Sequence, residues 1–250
     1  HKFYRALQHP LYPILRKIER THENLHHVEA AVREHRVVYS SNHTSHCDYL
    51  VEPLVLDNNG IRPPLIAAGI NLFGGPLGLL NRYITGAIPI RRNSKDPAYL
   101  TTLKAYVAEI LKTHDLFFYP EGGRSYSGEM KPLKTGLFHA ALSAERPDLV
   151  IVPTAIAYDL VLEDHILAHQ RVKKRQRPFA REVAEMVRYA VGYWSRAFVT
   201  FGAAISVAGC DVHSRTDVLE LARLVRARTG ERYKVLPTAV CAAAMRPSIT

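Results

Sequence analysis

Cysteine is scarce. The 250 residues hold three, Cys47, Cys210 and Cys241, odd in number and far apart. That argues against a disulfide framework and for a reducing compartment. Internal repeats and low-complexity tracts are missing too, which leaves an ordinary globular chain rather than a repeat array or a disordered one. The first ten residues, HKFYRALQHP, lack the apolar core of a signal peptide, and the start on His1 suggests a trimmed beginning. Long hydrophobic runs are absent. The longest uncharged stretch, PPLIAAGINLFGGPLGLLN at 63–81, is broken by four glycines and three prolines. A lipid-exposed helix cannot leave freed backbone groups unpaired, so no membrane span is expected there. The stretch reads as a strand, a turn and a short apolar helix that packs in the core or dips into a bilayer surface.

Acidic residues are in short supply. Against 33 Lys and Arg stand 23 Asp and Glu, for a net charge of +10 and a pI near 9.6. Such a surface attracts nucleic acid, anionic lipid or an acidic protein. The densest basic cluster, RVKKRQRPFAR at 171–181, has neither interleaved aromatics nor a groove-reading motif, so no nucleic-acid role is expected. A rival reading remains, in which the chain is a basic nucleic-acid or membrane-surface binding protein with this cluster as its contact.

What is present is an apolar fraction of 47% with 22% charged residues, the profile of a folded domain. Short apolar strands are predicted at 37–41, 65–68, 87–91, 116–120, 149–157 and 197–206. Helices are predicted at 21–35, 47–58, 97–113, 136–144, 179–194 and 211–229. Leu103, Tyr106, Val107, Ile110 and Leu111 repeat at the helical period. The predicted class is α/β, with a mainly parallel or mixed central sheet flanked by helices. An N-terminal helical segment, residues 1–35, packs on a single α/β catalytic domain, residues 36–250. Three polar segments follow strands: NHTSHCD, RRNSKD and EGGRSYSG. Sites in open α/β sheets gather at the carboxyl ends of strands, so the three converge on one site.

The densest chemistry lies in SSNHTSHCDYL, residues 40–50. His43, His46, Cys47 and Asp48 are possible metal ligands, but no second His or Cys cluster appears at zinc-like spacing, and no metal is expected. Cys47 sits in the first turn of an apolar helix, where burial suits it better than nucleophilic chemistry. Ser45-x-x-Asp48 resembles a capping box with Asp for Glu. That explains Ser45 and Asp48 but leaves the histidines unused. If His43 occupies the turn before the helix, Asp48 can fold back onto its imidazole. The carboxylate then fixes the tautomer and stabilises the charged ring, leaving the other nitrogen as a general base.

H-x4-D, followed by GAIPIRR, EGGRS and IVPTAIAYD, resembles the four ordered blocks of the glycerolipid acyltransferases. The glycerol-3-phosphate and dihydroxyacetone-phosphate branch is closest, by HTSHCDYL, IAAGINL, Arg91-Arg92 and Lys134-Thr135-Gly136. The likeness runs from about residue 36 to the C-terminus, with VTFGAAISV as a later strand, and implies a C-terminal region beyond this chain. Tyr126 departs from an arginine common in the third block, and Ile88 and Pro89 replace two aromatics of the second.

The resemblance implies transfer of a fatty acyl group from an acyl thioester (acyl-CoA or acyl-ACP, a substrate rather than a cofactor) to the sn-1 hydroxyl of glycerol 3-phosphate. Dihydroxyacetone phosphate and lysophosphatidate are alternative acceptors. His43 is the base and Asp48 its orienter. Arg91 or Arg92, with Arg92 favoured, Arg124, Ser125 and Lys134 hold the phosphate. Glu121 orients the loop or an arginine, and Gly122 and Gly123 let backbone amides approach. Pro153 shapes the acyl channel, and amides near the helix start meet the oxyanion. Peripheral binding to an anionic membrane from the cytoplasmic side is expected.

Overall fold

A computed structural model describes residues 18–73, 86–125, 127–161 and 194–245. The described chain runs β1 (Ile18–Glu23), α1 (Leu25–Glu34), β2 (Arg36–Ser41), α2 (Asp48–Asn58), β3 (Leu65–Gly69) and a 3₁₀ turn (Ile70–Phe73). It continues through β4 (Ala87–Ile90), α3 (Pro97–Thr113), β5 (Leu116–Phe118), α4 (Gly136–Leu142) and β6 (Leu149–Tyr158). β7 (Ser195–Phe201), β8 (Ile205–Ser206), α5 (Arg215–Gly230) and α6 (Pro237–Ala244) complete it.

Seven strands lie in the order β1-β7-β6-β2-β5-β3-β4, and β8 pairs with β6. Every pairing is parallel except those of β6 with β7 and β8, so the sheet is mixed. Strand alternation sorts the core onto two faces. Val37, Tyr39, Phe117 and Val152 pack with α1 and α2 on one face. Val38, Leu116, Phe118 and Ile151 pack with α3, α4 and α5 on the other. Both faces are covered, which is why the strands read as continuous apolar runs.

The N-terminal segment differs from the sequence reading. Ile18–Glu23 is an edge strand parallel to β7, not helix, and the helix begins at Leu25 rather than at residue 21. Thr21 and His22 face no continuous apolar stripe; the β7 edge captures them instead, from Ile18↔Ser195 to Glu23↔Thr200. The strand predicted at 197–206 splits in two. Its register on β6 slips by one residue between Thr154↔Phe201 and Ile151↔Ile205. At the break the Gly202 amide donates to Pro153 O at 2.7 Å, and a Cβ on Gly202 would lie 3.2 Å from that oxygen. This is the extra residue of a bulge.

The helix predicted at 97–113 starts as its sequence demands: Asp96 accepts from the Ala98 amide at 3.0 Å, with Pro97 in the first turn. Val107, Ile110 and Leu111 are buried along it, while Tyr106 points to solvent. The helix predicted at 179–194, apart from its last residue, the basic cluster 171–181, residues 74–81 of the uncharged stretch and Tyr126 lie outside the described residues. Among the described residues no helix is long and apolar enough to cross a membrane.

Candidate active site

β2 lies inside the sheet, with β6 on one side and β5 on the other. The chain leaving it is fixed at once. Asn42 is buried and forms a two-bond bridge to β6, donating to Ile156 O at 2.9 Å and accepting from the Ile156 amide at 2.7 Å. The next residue is His43. Asp48, in the first turn of α2 and fully buried, folds back on it, and Oδ2 lies 2.9 Å from His43 Nδ1.

The same oxygen accepts from the Thr44 amide at 2.7 Å and the Ser45 amide at 3.0 Å, while Oδ1 accepts from the Tyr158 hydroxyl at 2.8 Å. One carboxylate therefore both closes the turn before α2 and orients the imidazole. The capping role and the chemical role, set against each other in the sequence, belong to the same two oxygens. Since every other partner of the carboxylate is a donor, His43 Nδ1 carries the hydrogen, and Nε2 is left with its lone pair.

Burial lowers the His43 pKa from the ordinary histidine value. The hydrogen bond and charge of Asp48 oppose this, and the charges of His46 and Arg124 add to it. The ring is neutral at neutral pH, as a base must be. Its face rests on Tyr119, with centroids 4.3 Å apart and planes 20° from parallel. Behind them lies a second buried carboxyl, Glu52. Its pKa is pushed well up by burial and by the Asp48 charge, against hydrogen bonds from Ser41 and Tyr119. Cys47 is buried in the apolar core.

His43 opens on a cavity of about 930 Å³. Arg91, Arg92, Arg124, Lys131 and Lys134 line it, and so do Gly122 and Gly123. Leu100, Leu103, Leu133, Leu137 and Leu219 give it an apolar wall. The sequence left Arg91 and Arg92 as alternatives. β4 ends at Ile90, so strand alternation does not set them on opposite faces, and both arginines line the space. Arg91 lies against Tyr99, its guanidinium carbon 5.4 Å from the ring centroid. Arg92 lies over the end of β3, where a Cβ on Gly69 would come within 2.7 Å of its Nε. Lys134 donates to Asn93 Oδ1 at 2.8 Å and crosses Gly122, whose φ of 71° calls for glycine.

Three predicted residues sit elsewhere. Glu121 is buried with its oxygens on backbone amides, accepting from His43 N at 3.1 Å and Lys131 N at 2.9 Å. A carboxylate so used orients the loop, as one reading of it had it. Ser125 donates from its hydroxyl to Glu129 O at 2.7 Å and from its amide to His43 O at 2.7 Å, and it is buried away from the cavity. Pro153 is paired with Ser40 inside the sheet under Gly202 and does not line the cavity. The amides expected for the oxyanion are also taken: Thr44 N and Ser45 N by Asp48, Cys47 N by Ser45 Oγ at 3.0 Å.

The sequence reading assigned nothing to Tyr158, Tyr119, Glu52, Asn42, Lys131 or Asn93. Two signals were available: Tyr158 lies within the block IVPTAIAYD, and Glu52 is the one acid placed a turn after Asp48 in an apolar helix. Among the described residues no group of three or more His, Cys, Asp and Glu side chains could hold a metal ion.

The family model described as Acyltransferase matches residues 19–157. The glycerol-3-phosphate acyltransferase of Aeromonas hydrophila is 35% identical over 188 residues, which is 72% of this chain and 23% of that protein. That of Pseudoalteromonas translucida is 33% identical over 197 residues, 74% of this chain and 23% of that protein. The chain thus spans about a quarter of the length of these curated relatives. In structure it resembles the 1-acyl-sn-glycerophosphate acyltransferase of Thermotoga maritima, with a TM-score of 0.51 over 88% of this chain and 74% of that one. At 15% identity this likeness speaks for the fold.

Proposed function

The chain belongs to the acyltransferase family, and from that premise we propose that it transfers a fatty acyl group from a thioester to the sn-1 hydroxyl of glycerol 3-phosphate, giving lysophosphatidate. The observation that carries this reading is a neutral imidazole, held at Nδ1 by a buried carboxylate, at the wall of a cavity that is cationic in one part and apolar in another.

His43 Nε2 takes the proton of the acceptor hydroxyl as its oxygen attacks the thioester carbonyl carbon. Asp48 stabilises the imidazolium that forms. The tetrahedral intermediate collapses, the carbon–sulfur bond breaks, and the leaving thiolate recovers the proton from His43. The thioester is already activated, so no acyl-enzyme is required.

The acceptor phosphate lies among Arg91, Arg92, Arg124 and Lys134, since guanidinium forks and ammonium groups favour a dianion. The acyl chain lies along Leu100, Leu103, Leu137 and Leu219. Coenzyme A or acyl carrier protein carries the acyl group, and the donor needs no further cofactor. The net charge of +10 supports peripheral binding to an anionic membrane surface on its cytoplasmic side. Binding should weaken with salt and favour vesicles containing anionic lipid; equal binding to neutral vesicles at low salt would remove this part.

The discriminating experiment is an acyl-transfer assay with palmitoyl-CoA and three acceptors: glycerol 3-phosphate, dihydroxyacetone phosphate and lysophosphatidate. The highest kcat/KM is expected with glycerol 3-phosphate. Preference for lysophosphatidate, or salt-sensitive nucleic-acid binding without any transfer, would overturn the assignment.

A further inference from the structure

Asp48 and Glu52 are four residues apart on α2, so their side chains share one face of the helix. Glu52 is fully buried in an otherwise apolar stretch, where a carboxyl is costly unless both oxygens find partners. Both do. Ser41 Oγ lies 2.5 Å from Oε1, and the Tyr119 hydroxyl donates to Oε2 at 2.7 Å. Tyr119 lies just past the end of β5, and its ring is the plate against which His43 stacks. Two lines of contact therefore run from α2 to one imidazole. Asp48 meets its edge at Nδ1; Glu52 reaches its face through Tyr119.

We propose that Glu52 is a positioning residue for the acyl transfer: by holding the Tyr119 hydroxyl it fixes the plane of the His43 ring, and with it the line along which Nε2 meets the acceptor hydroxyl. The proposal rests on His43 being the base.

One hydrogen bond at Nδ1 sets the tautomer but leaves the ring free to rock about that contact. A plate on one face stops the rocking, provided the plate is itself fixed. Displacement of a base by even 1 Å from its reacting geometry can cost about 10² in rate. The charge state fits the same role. The ionisable groups around Glu52 are Asp48, Tyr119 and Tyr158, with His43 beyond Tyr119. Burial and the Asp48 charge push the Glu52 pKa well up from the ordinary carboxylate value. Ser41 Oγ donates to Oε1, and Oε2 accepts from Tyr119. Glutamine with its oxygen toward Tyr119 keeps that tie without titrating, and the Ser41 hydroxyl can turn to accept from its NH₂.

The test compares Glu52→Gln, Glu52→Ala, Tyr119→Phe and His43→Ala. It measures kcat, both KM values and melting temperature, and kcat across mildly acidic to mildly alkaline pH. Glu52→Ala and Tyr119→Phe should lose kcat by about tenfold or more, with KM values changed less than about twofold. Glu52→Gln should recover most of kcat and keep the acid limb of the native pH profile. Tyr119→Phe keeps the ring and loses only the tie, so it remains decisive if Glu52→Ala fails to fold. Native kcat in Tyr119→Phe, loss confined to KM, or a Glu52→Gln enzyme as slow as Glu52→Ala would each overturn the proposal. An active His43→Ala enzyme would instead remove the general-base reading beneath it. Inactive His43→Ala beside native-like Tyr119→Phe would sink this inference alone.

Discussion

Replacing Asp48 by asparagine removes one charge and almost no volume. The surroundings decide which way the new amide points. Oδ2 accepts from two backbone amides, Thr44 N at 2.7 Å and Ser45 N at 3.0 Å, besides facing His43. An amide nitrogen placed there would oppose two fixed donors, so the oxygen must take that position. His43 then keeps its hydrogen on Nδ1, and the substituted enzyme retains the correct tautomer. At the Oδ1 position the new NH₂ faces the Tyr158 hydroxyl, now 2.8 Å from Oδ1, which can turn from donor to acceptor.

What disappears is the attraction between the carboxylate and the imidazolium of the transition state. Two unit charges about 4 Å apart interact by roughly 4 kcal/mol at an effective dielectric of about 20. The residual amide dipole retains part of that. The expected loss in kcat is about 10²–10³, using ~1.36 kcal/mol per tenfold. The start of α2 loses a favourable charge–dipole contact of about 0.3–1 kcal/mol, which moves the Tm by only a few degrees in a chain this long. Measuring kcat at saturating donor and acceptor beside a thermal melt separates the two effects. A folded Asp48→Asn enzyme within about threefold of native kcat would refute the charge argument. A collapse of Tm would refute the account of the amide orientation.

His43→Ala should lower kcat by about 10²–10⁴, with a modest fall in Tm from the lost stacking on Tyr119; turnover near the native rate in a folded variant would contradict the mechanism. Arg124→Ala should mainly raise KM for the phosphate-bearing acceptor, since a charge-assisted contact acts in ground and transition states alike; a change confined to donor KM would reassign it. The acid limb of kcat/KM should fall below the ordinary histidine pKa of about 6.5, because burial favours the neutral ring. The same group makes a contribution to stability that is present above about pH 6.5 and lost as pH drops through its lowered folded value. An acid limb above about 6.5 would contradict the desolvation argument.

The sheet, the buried strands and the three loops that meet over their carboxyl ends were legible because apolar runs and polar interruptions are local signals. β1 was not, since IERTHE has no strand period of its own and owes its conformation to the β7 edge. The pair His43 and Asp48 could be read from their place at a strand-to-helix turn together with the blocks that follow in order. Ser125 was legible as important but not as what it does, because loop-to-loop backbone contacts leave no trace in the order of residues. The choice between Arg91 and Arg92 could not be read either: alternation holds only while the strand lasts, and β4 stops one residue earlier than expected. Tyr119 follows β5 and Tyr158 ends β6, both far from α2 in sequence, and only the fold brings them to it.

The loop after β2 and the loop after β5 are stitched together in both directions: His43 N donates to Glu121 Oε1 at 3.1 Å, and Ser125 N donates to His43 O at 2.7 Å. For anyone redesigning the proposed acceptor site, they form one transplantable cassette. Exchanging residues 121–131 alone would shift His43 along with the exchanged loop, and turnover is expected to fall for every acceptor. Grafts that carry residues 42–48 and 121–131 from one donor scaffold should keep the stitch intact and let specificity change without loss of chemistry.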